Sequence, residues 1–211
     1  MIQIIEKLNW RYAVKKYDTD KKVSAENISS LKEAMRLSSS SYGLQPYRIL
    51  DIVDKDIRAK LLPFSFNQSQ IIDASHLFVI ATENVIDEAY VNAYFENLSH
   101  IRNTKIEGEI LDYKNFMVAS MARMTDEAKK HWSKNQAYLA LGNLLFAAAL
   151  LEIDISPMEG FMANKYDEAL GLEGKGLSSV VIAAVGFRHP DDHLQYLKKV
   201  RKPDAQLFET I

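Results

Sequence analysis

At 211 residues the chain is long enough to bury about 70 % of its unfolded surface as one large domain. Its 26 Lys+Arg against 28 Asp+Glu give a formal net charge of -2, which supplies no global field for nucleic acid or an anionic membrane, so any anionic ligand must be met by a local cluster. The lack of cysteine excludes disulfides, thiolate nucleophiles, Cys-ligated zinc and iron–sulfur clusters, and fits a reducing cytoplasm, the expected compartment.

Met1–Lys7 has neither the apolar core nor the small-residue cleavage site of a secretory signal, so the mature chain is expected to start there. Apolar residues at 2, 4, 5 and 8 predict a short amphipathic helix, followed by an extended basic stretch, Arg11 to Tyr17. Ser24 is the expected N-cap of a helix with Ile28, Leu31 and Met35 on its apolar face, ending near Ser38. A polar loop, Ser38 to Gly43, leads through Gln45-Pro46 to a strand over 47–53, and 77–81 reads as a second strand. Two surface helices are expected over 84–103 and 107–123, placed to cover a site.

Thr125 is placed to cap a long helix through Leu151 whose second half is apolar all round, as a helix buried between subunits would be. This stretch approaches transmembrane length but is interrupted by Asn135, Gln136 and Asn143, which favours a soluble helix. A short helix over 164–170 stops at Gly171, 177–187 reads as a central strand, and the last twenty residues read as irregular and basic. No repeat or linker divides the chain, so one domain over 1–211 is expected. Strands do not alternate regularly with helices, which points to an α+β layered fold over a doubly wound parallel sheet.

No strand is followed by G-x-G-x-x-G, and there is neither a Walker A sequence nor a G-x-S-x-G elbow. The Gly171–Gly176 stretch fits a helix stop and turn better than a phosphate loop. His189 and His193 stand four apart, but Pro190 and two aspartates between them favour a solvated turn, and no third ligand is apparent, so no metal is expected. The cations Arg11, Lys15 and Lys16 near one end and Lys198, Lys199, Arg201 and Lys202 near the other can converge on a phosphate if the termini approach. Either group alone reads as solvated surface.

The motifs Arg11-Tyr12-Ala13-Val14-Lys15, Ser38 to Tyr47, Asn67, Gln136, Pro157-Met158-Glu159-Gly160-Phe161 and Lys199-Val200-Arg201 occur in an order that resembles the nitroreductase family. The likeness covers almost the whole chain. It is greatest to oxygen-insensitive NAD(P)H nitroreductases also described as dihydropteridine reductases, and includes Ile72 to His76. The resemblance implies a mainly antiparallel sheet flanked by helices, an intertwined homodimer, and two FMN sites drawing residues from both subunits. On that basis Arg11, Lys199 and Arg201 hold the FMN phosphate, with Tyr12 and Ala13 in the same motif. Lys15 and Asn67 lie near the pyrimidine edge, where a cation favours reduced flavin. Ser39, Ser40, Ser41 and Gly43 reach the cofactor from the neighbouring subunit, and Gln136 meets the ribityl chain. Pro157 and Met158 pack against the ring, while the amides of Glu159 and Gly160 face N5 and O4. Tyr42, Phe64 and Met117 line the substrate pocket.

Several positions depart from the family pattern. Ala13 stands where a hydroxyl residue is common, the loop reads Ser39 to Gly43 instead of Pro-Ser-Ser/Thr and then Asn, and Tyr47 replaces Trp. Gln70 stands where the nearest relatives have a ring-side lysine. The implied chemistry is hydride transfer from NAD(P)H through flavin N5 to nitroaromatic, quinone or pterin-type acceptors, with no essential catalytic side chain. Two alternatives stand beside it: the same flavin with another natural oxidant such as an unsaturated carbonyl compound, and a flavin-binding protein without turnover.

Overall fold

The computed structural model describes residues 2–211, the side chains from residue 4 onward. Helix α1 (Ile2–Trp10) leads through an extended stretch to α2 (Ala25–Arg36), whose first turn is capped by the Ser24 hydroxyl accepting from the Asn27 amide. Strand β1 (Tyr47–Ile52) is followed by two helices that the hydrophobic pattern does not reveal, α3 (Lys55–Leu61) and α4 (Gln70–Asp73). Both are too short for a helical period to stand out, although the Asp54 carboxylate caps α3 by accepting from the Asp56 and Ile57 amides.

Strand β2 (His76–Glu83) precedes α5 (Glu88–Arg102) and α6 (Glu109–Ala122). The long helix α7 (Asp126–Leu150) begins at Thr125, whose hydroxyl accepts from the Ala128 amide. Strand β3 (Asp154–Met158), α8 (Ala163–Leu170), β4 (Leu177–Gly186) and α9 (Asp204–Leu207) complete the chain. The last twenty residues are thus not wholly irregular: a 3-10 turn at His193–Tyr196, anchored by Asp192, and α9 break them.

The four strands form one sheet in the order β1-β2-β4-β3, with every pair antiparallel, so the α+β expectation holds. β3 was not expected because Pro157 sits inside it. An edge strand tolerates a residue with no N–H to give. Alternation in the two central strands splits the core into two layers. Phe78, Ile80, Val181, Ala183 and Val185 face α2 and α7, while Leu77, Val79, Ile182 and Ala184 face α3, α4 and α8. Each fully buried Leu or Ile contributes about 1.5–3 kcal/mol. Helices α5 and α6 carry their own core of Val91, Phe95, Met117 and Met121.

Within the single chain only one face of the second half of α7 is buried. Ala140, Leu144 and Ala148 face the sheet, but Leu139, Phe146 and Leu150 remain exposed, as do Ile4, Ile5 and Leu8 of α1. Among the described residues no helix is long and apolar enough to cross a membrane, and no group of three or more His, Asp or Glu is arranged to hold a metal.

Candidate functional site

The two termini do approach. His189 donates its amide to the Lys16 carbonyl at 2.9 Å and Tyr17 bridges to Arg188, which docks the segment after β4 on the segment after α1. Gly186 is required there, because a Cβ would stand 2.8 Å from Tyr17 Cδ1 and 3.1 Å from the Ser75 amide nitrogen.

At this seam Arg188 is held on every side. Its guanidinium lies 4.1 Å from the Trp10 ring centroid and 4.6 Å from that of Tyr12, and reaches Asp154 through Nη2 at 2.6 Å and Nε at 2.9 Å. Neither residue was singled out in the sequence. The available signal was Asp154 itself, a charged residue between Ile153 and Ile155 in apolar surroundings, which requires a partner.

Arg188 is neutralised; its neighbours are not. Arg11 is half-buried, and burial followed by the nearby Arg201 charge lowers its pKa, against an opposing effect of Asp154. Burial, then Arg11, Arg201 and Arg188, lower that of Lys199. Among the described residues Arg11, Lys199 and Arg201 make no ion pair with a carboxylate, and a pocket of about 330 Å³ lined by Trp10, Tyr12, Lys198 and Lys199 lies beside them. Three cations close enough that Arg201 depresses the pKa of Arg11, and both depress that of Lys199, suit a multiply charged anion such as a phosphate monoester.

This arrangement carries a sign. With its pKa depressed, charged Lys199 destabilises the ligand-free fold below that pKa, and the penalty disappears as pH rises through it. Lys199→Met is therefore expected to raise the Tm of the ligand-free protein at neutral pH, with the gain vanishing at alkaline pH, while weakening anion binding. A lower Tm in differential scanning calorimetry would contradict it.

Lys15 follows in the same irregular segment, its side chain exposed and its backbone fixed by Asp192. The Asp192 carboxylate accepts from the amides of Lys15 at 2.7 Å, Lys16 at 3.0 Å and Leu194 at 3.1 Å. Burial raises its pKa, but these amides outweigh it and leave the carboxyl below its ordinary range. Burial and then Asp192 push the neighbouring Tyr12 phenol well above its usual value.

Asn67 lies in a tight loop with Phe66 before it, and both adopt left-handed conformations, φ 56° and 53°. Asn accepts this readily; Phe does not, so the loop stores strain. Phe64 accepts from the Met162 amide at 2.8 Å, and Gln68 Nε2 donates to the Gly160 carbonyl at 2.8 Å, which seats the loop on the segment after β3. Tyr12, Phe64, Met158 and Phe161 share one apolar cluster with Val14, so the first basic motif, the Asn67 loop and the Pro157–Phe161 motif meet. Glu159 and Gly160 are exposed, Pro157 and Ala13 half-buried, and Met158 is core. Gln70 is buried at 4 % exposure, so its position presents no side chain to a ligand in this chain.

The serine loop lies elsewhere. Tyr42, Gly43 and Gln45 all have positive φ, at 59°, 73° and 44°. The loop is held by the Ser41 amide donating to Gln136 Oε1 at 2.7 Å and the Gln45 amide donating to Ser40 Oγ at 3.0 Å, while Ser39 is exposed. Gln136 also donates to the Trp132 carbonyl at 2.9 Å, so its first role here is to fix the loop, with one N–H left over. A Cβ at Gly43 would stand 3.0 Å from the Tyr94 hydroxyl.

Tyr42 meets the Phe116 ring edge-on with centroids 6.4 Å apart and borders a pocket of about 310 Å³ with Tyr94, Arg102 and Tyr113. Met117 does not line it. It is fully buried in the α5–α6 core, because its helix turns that face inward, away from solvent. Tyr42 and Phe64 belong to different clusters, so one chain does not assemble the expected substrate pocket from Tyr42, Phe64 and Met117.

A model of the nitroreductase family matches residues 8–187. The chain belongs to the nitroreductase family. This nitroreductase-family chain is 33 % identical over 217 residues to a protein of Staphylococcus haemolyticus provisionally named an NAD(P)H nitroreductase, covering 99 % of this chain and 97 % of that one. Its fold matches that of a Bacillus subtilis protein provisionally named a nitroreductase, with TM-score 0.88 at 17 % identity and full coverage of both chains. It also matches a similarly named protein of Exiguobacterium sibiricum, solved with FMN, with TM-score 0.83 at 22 % identity over 100 % of this chain and 96 % of that one.

Proposed function

We propose that this nitroreductase-family chain is a cytoplasmic FMN-dependent oxidoreductase that draws on NAD(P)H to reduce flat, electron-poor acceptors of the nitroaromatic, quinone or pterin type, and that it works as a homodimer. The observation that carries this reading is the cluster of Arg11, Lys199 and Arg201, cations without a carboxylate partner at the seam of the two termini. A phosphate monoester fits that donor set: two planar guanidinium forks and one compact ammonium. The names of relatives such as the Staphylococcus haemolyticus protein support NAD(P)H as the reductant.

Bound FMN would supply a centre that accepts a hydride at N5 and releases electrons to the acceptor. The chain's own residues then bind and orient. Lys15, on a backbone fixed by Asp192, would present a cation to the pyrimidine edge, and Asn67 would meet the same edge from its strained loop. The exposed Glu159–Gly160 turn offers main-chain amides, and Met158 packs behind it. Ser39, Ser40, Ser41 and Gly43, with the spare N–H of Gln136, suit a polyol chain. Among the described residues no hydrogen bond or ion pair joins this loop to the cation cluster, and Leu139, Phe146 and Leu150 of α7 leave an apolar face uncovered. Both features support a site completed across a dimer.

The test is anaerobic addition of NADH to the FMN-loaded protein. Loss of the oxidised flavin's visible absorption within a turnover time, and its return on adding a quinone, is the expected result. A yellow protein that never bleaches would leave only a flavin-binding role.

A further inference from the structure

After β3 the chain closes a tight turn in which the Phe161 amide donates to the Glu159 carbonyl at 2.9 Å, leaving Glu159 and Gly160 at its tip. Two side chains from distant parts of the chain grip this tip. Gln68 Nε2 donates to the Gly160 carbonyl at 2.8 Å. From α7 the half-buried Tyr138 phenol donates to the Glu159 carboxylate, and Lys134, one helical turn earlier, holds its ammonium 5.8 Å from the Tyr138 ring centroid. The Tyr138 ring packs against the core shared by α2, α7 and the sheet, but neither that packing nor the flavin contacts account for the bond its phenol makes to Glu159. Burial, and then the hydrogen bond to Glu159, push its pKa up to about 12, so it stays a donor throughout the physiological range.

We infer that Tyr138 is a positioning residue: its hydrogen bond keeps the Glu159 carboxylate turned against α7, so that the tip presents only main-chain amides to the flavin ring. The inference rests on the proposed function. A carboxylate released from the phenol would swing its negative charge toward a ring that gains negative charge on reduction. Reduced FMN would then be held less well than oxidised FMN.

The experiment is a redox titration of the FMN-reconstituted protein, which reads the ratio of its affinities for reduced and oxidised FMN. Tyr138→Phe is expected to lower this ratio about tenfold, a fall of about 30 mV in midpoint potential. Glu159→Gln, with no charge to misplace, does not lower it, and Tyr138→Phe added to Glu159→Gln has no further effect. A merely structural role for Tyr138 would move Tm in both backgrounds and the potential in neither. An unchanged ratio in Tyr138→Phe, or an equal fall in both backgrounds, overturns the inference alone. A wild-type protein that takes up no FMN overturns the proposed function and the inference with it.

Discussion

Replacing Arg188 by leucine is expected to lower the unfolding free energy of the ligand-free protein by about 3–5 kcal/mol. Asp154 is only 3 % exposed and takes two guanidinium bonds, at 2.6 and 2.9 Å, besides the Arg188 amide at 2.8 Å. Without the guanidinium a carboxylate remains in apolar surroundings with one amide as partner, and the stacking on Trp10 and Tyr12 is lost as well. Urea unfolding measures the effect. Arg188→Leu combined with Asp154→Leu should recover much of the loss, since a matched apolar pair can replace a buried ion pair with little change. A loss below about 1 kcal/mol for the single variant would mean that this pair behaves like a solvated surface bridge.

Arg11→Ala is expected to weaken FMN binding by about 1.5–3 kcal/mol, the worth of a hydrogen bond to a charged group, or about 10- to 150-fold in Kd. Arg11 is half-buried, and its pKa is lowered by that burial and by the Arg201 charge, so a phosphate dianion relieves a repulsion as well as making new contacts. Arg201→Ala should act in the same direction. Isothermal titration at two salt concentrations checks it: the variant's affinity should be both weaker and less dependent on salt.

What could be read from the sequence follows the range of the interactions involved. Thr125 and the helix it caps, Ser24 and its helix, and the Gly171 stop all rest on neighbours within a turn or two, and each stands where expected. β4 was legible because a run of Val, Ile and Ala suits a strand buried on both faces. α3, α4 and β3 were not, being too short to establish a period or interrupted by proline.

The site divides in the same way. The convergence of Arg11 with Lys199 and Arg201 was visible only as two distant basic groups and an order of motifs, and it took the docking of Arg188 on Trp10, Tyr12 and Asp154 to bring them together. Gln136 was expected only at the ribityl chain, and its bond to the Ser41 amide, at a separation of 95 residues, leaves no trace in sequence spacing. Met117 shows the converse failure. A methionine on a helix of mixed character carries no sign of which face turns inward, and tertiary packing put it in the core.

The central claim is that Arg11, Lys199 and Arg201 form a flavin phosphate site, and comparing FMN with riboflavin, which lacks only the phosphate, tests it most directly. The wild-type protein should bind FMN at least about tenfold more tightly than riboflavin, and removal of Arg11 should erase most of that difference. Equal affinity of the wild-type protein for FMN and riboflavin would contradict the account.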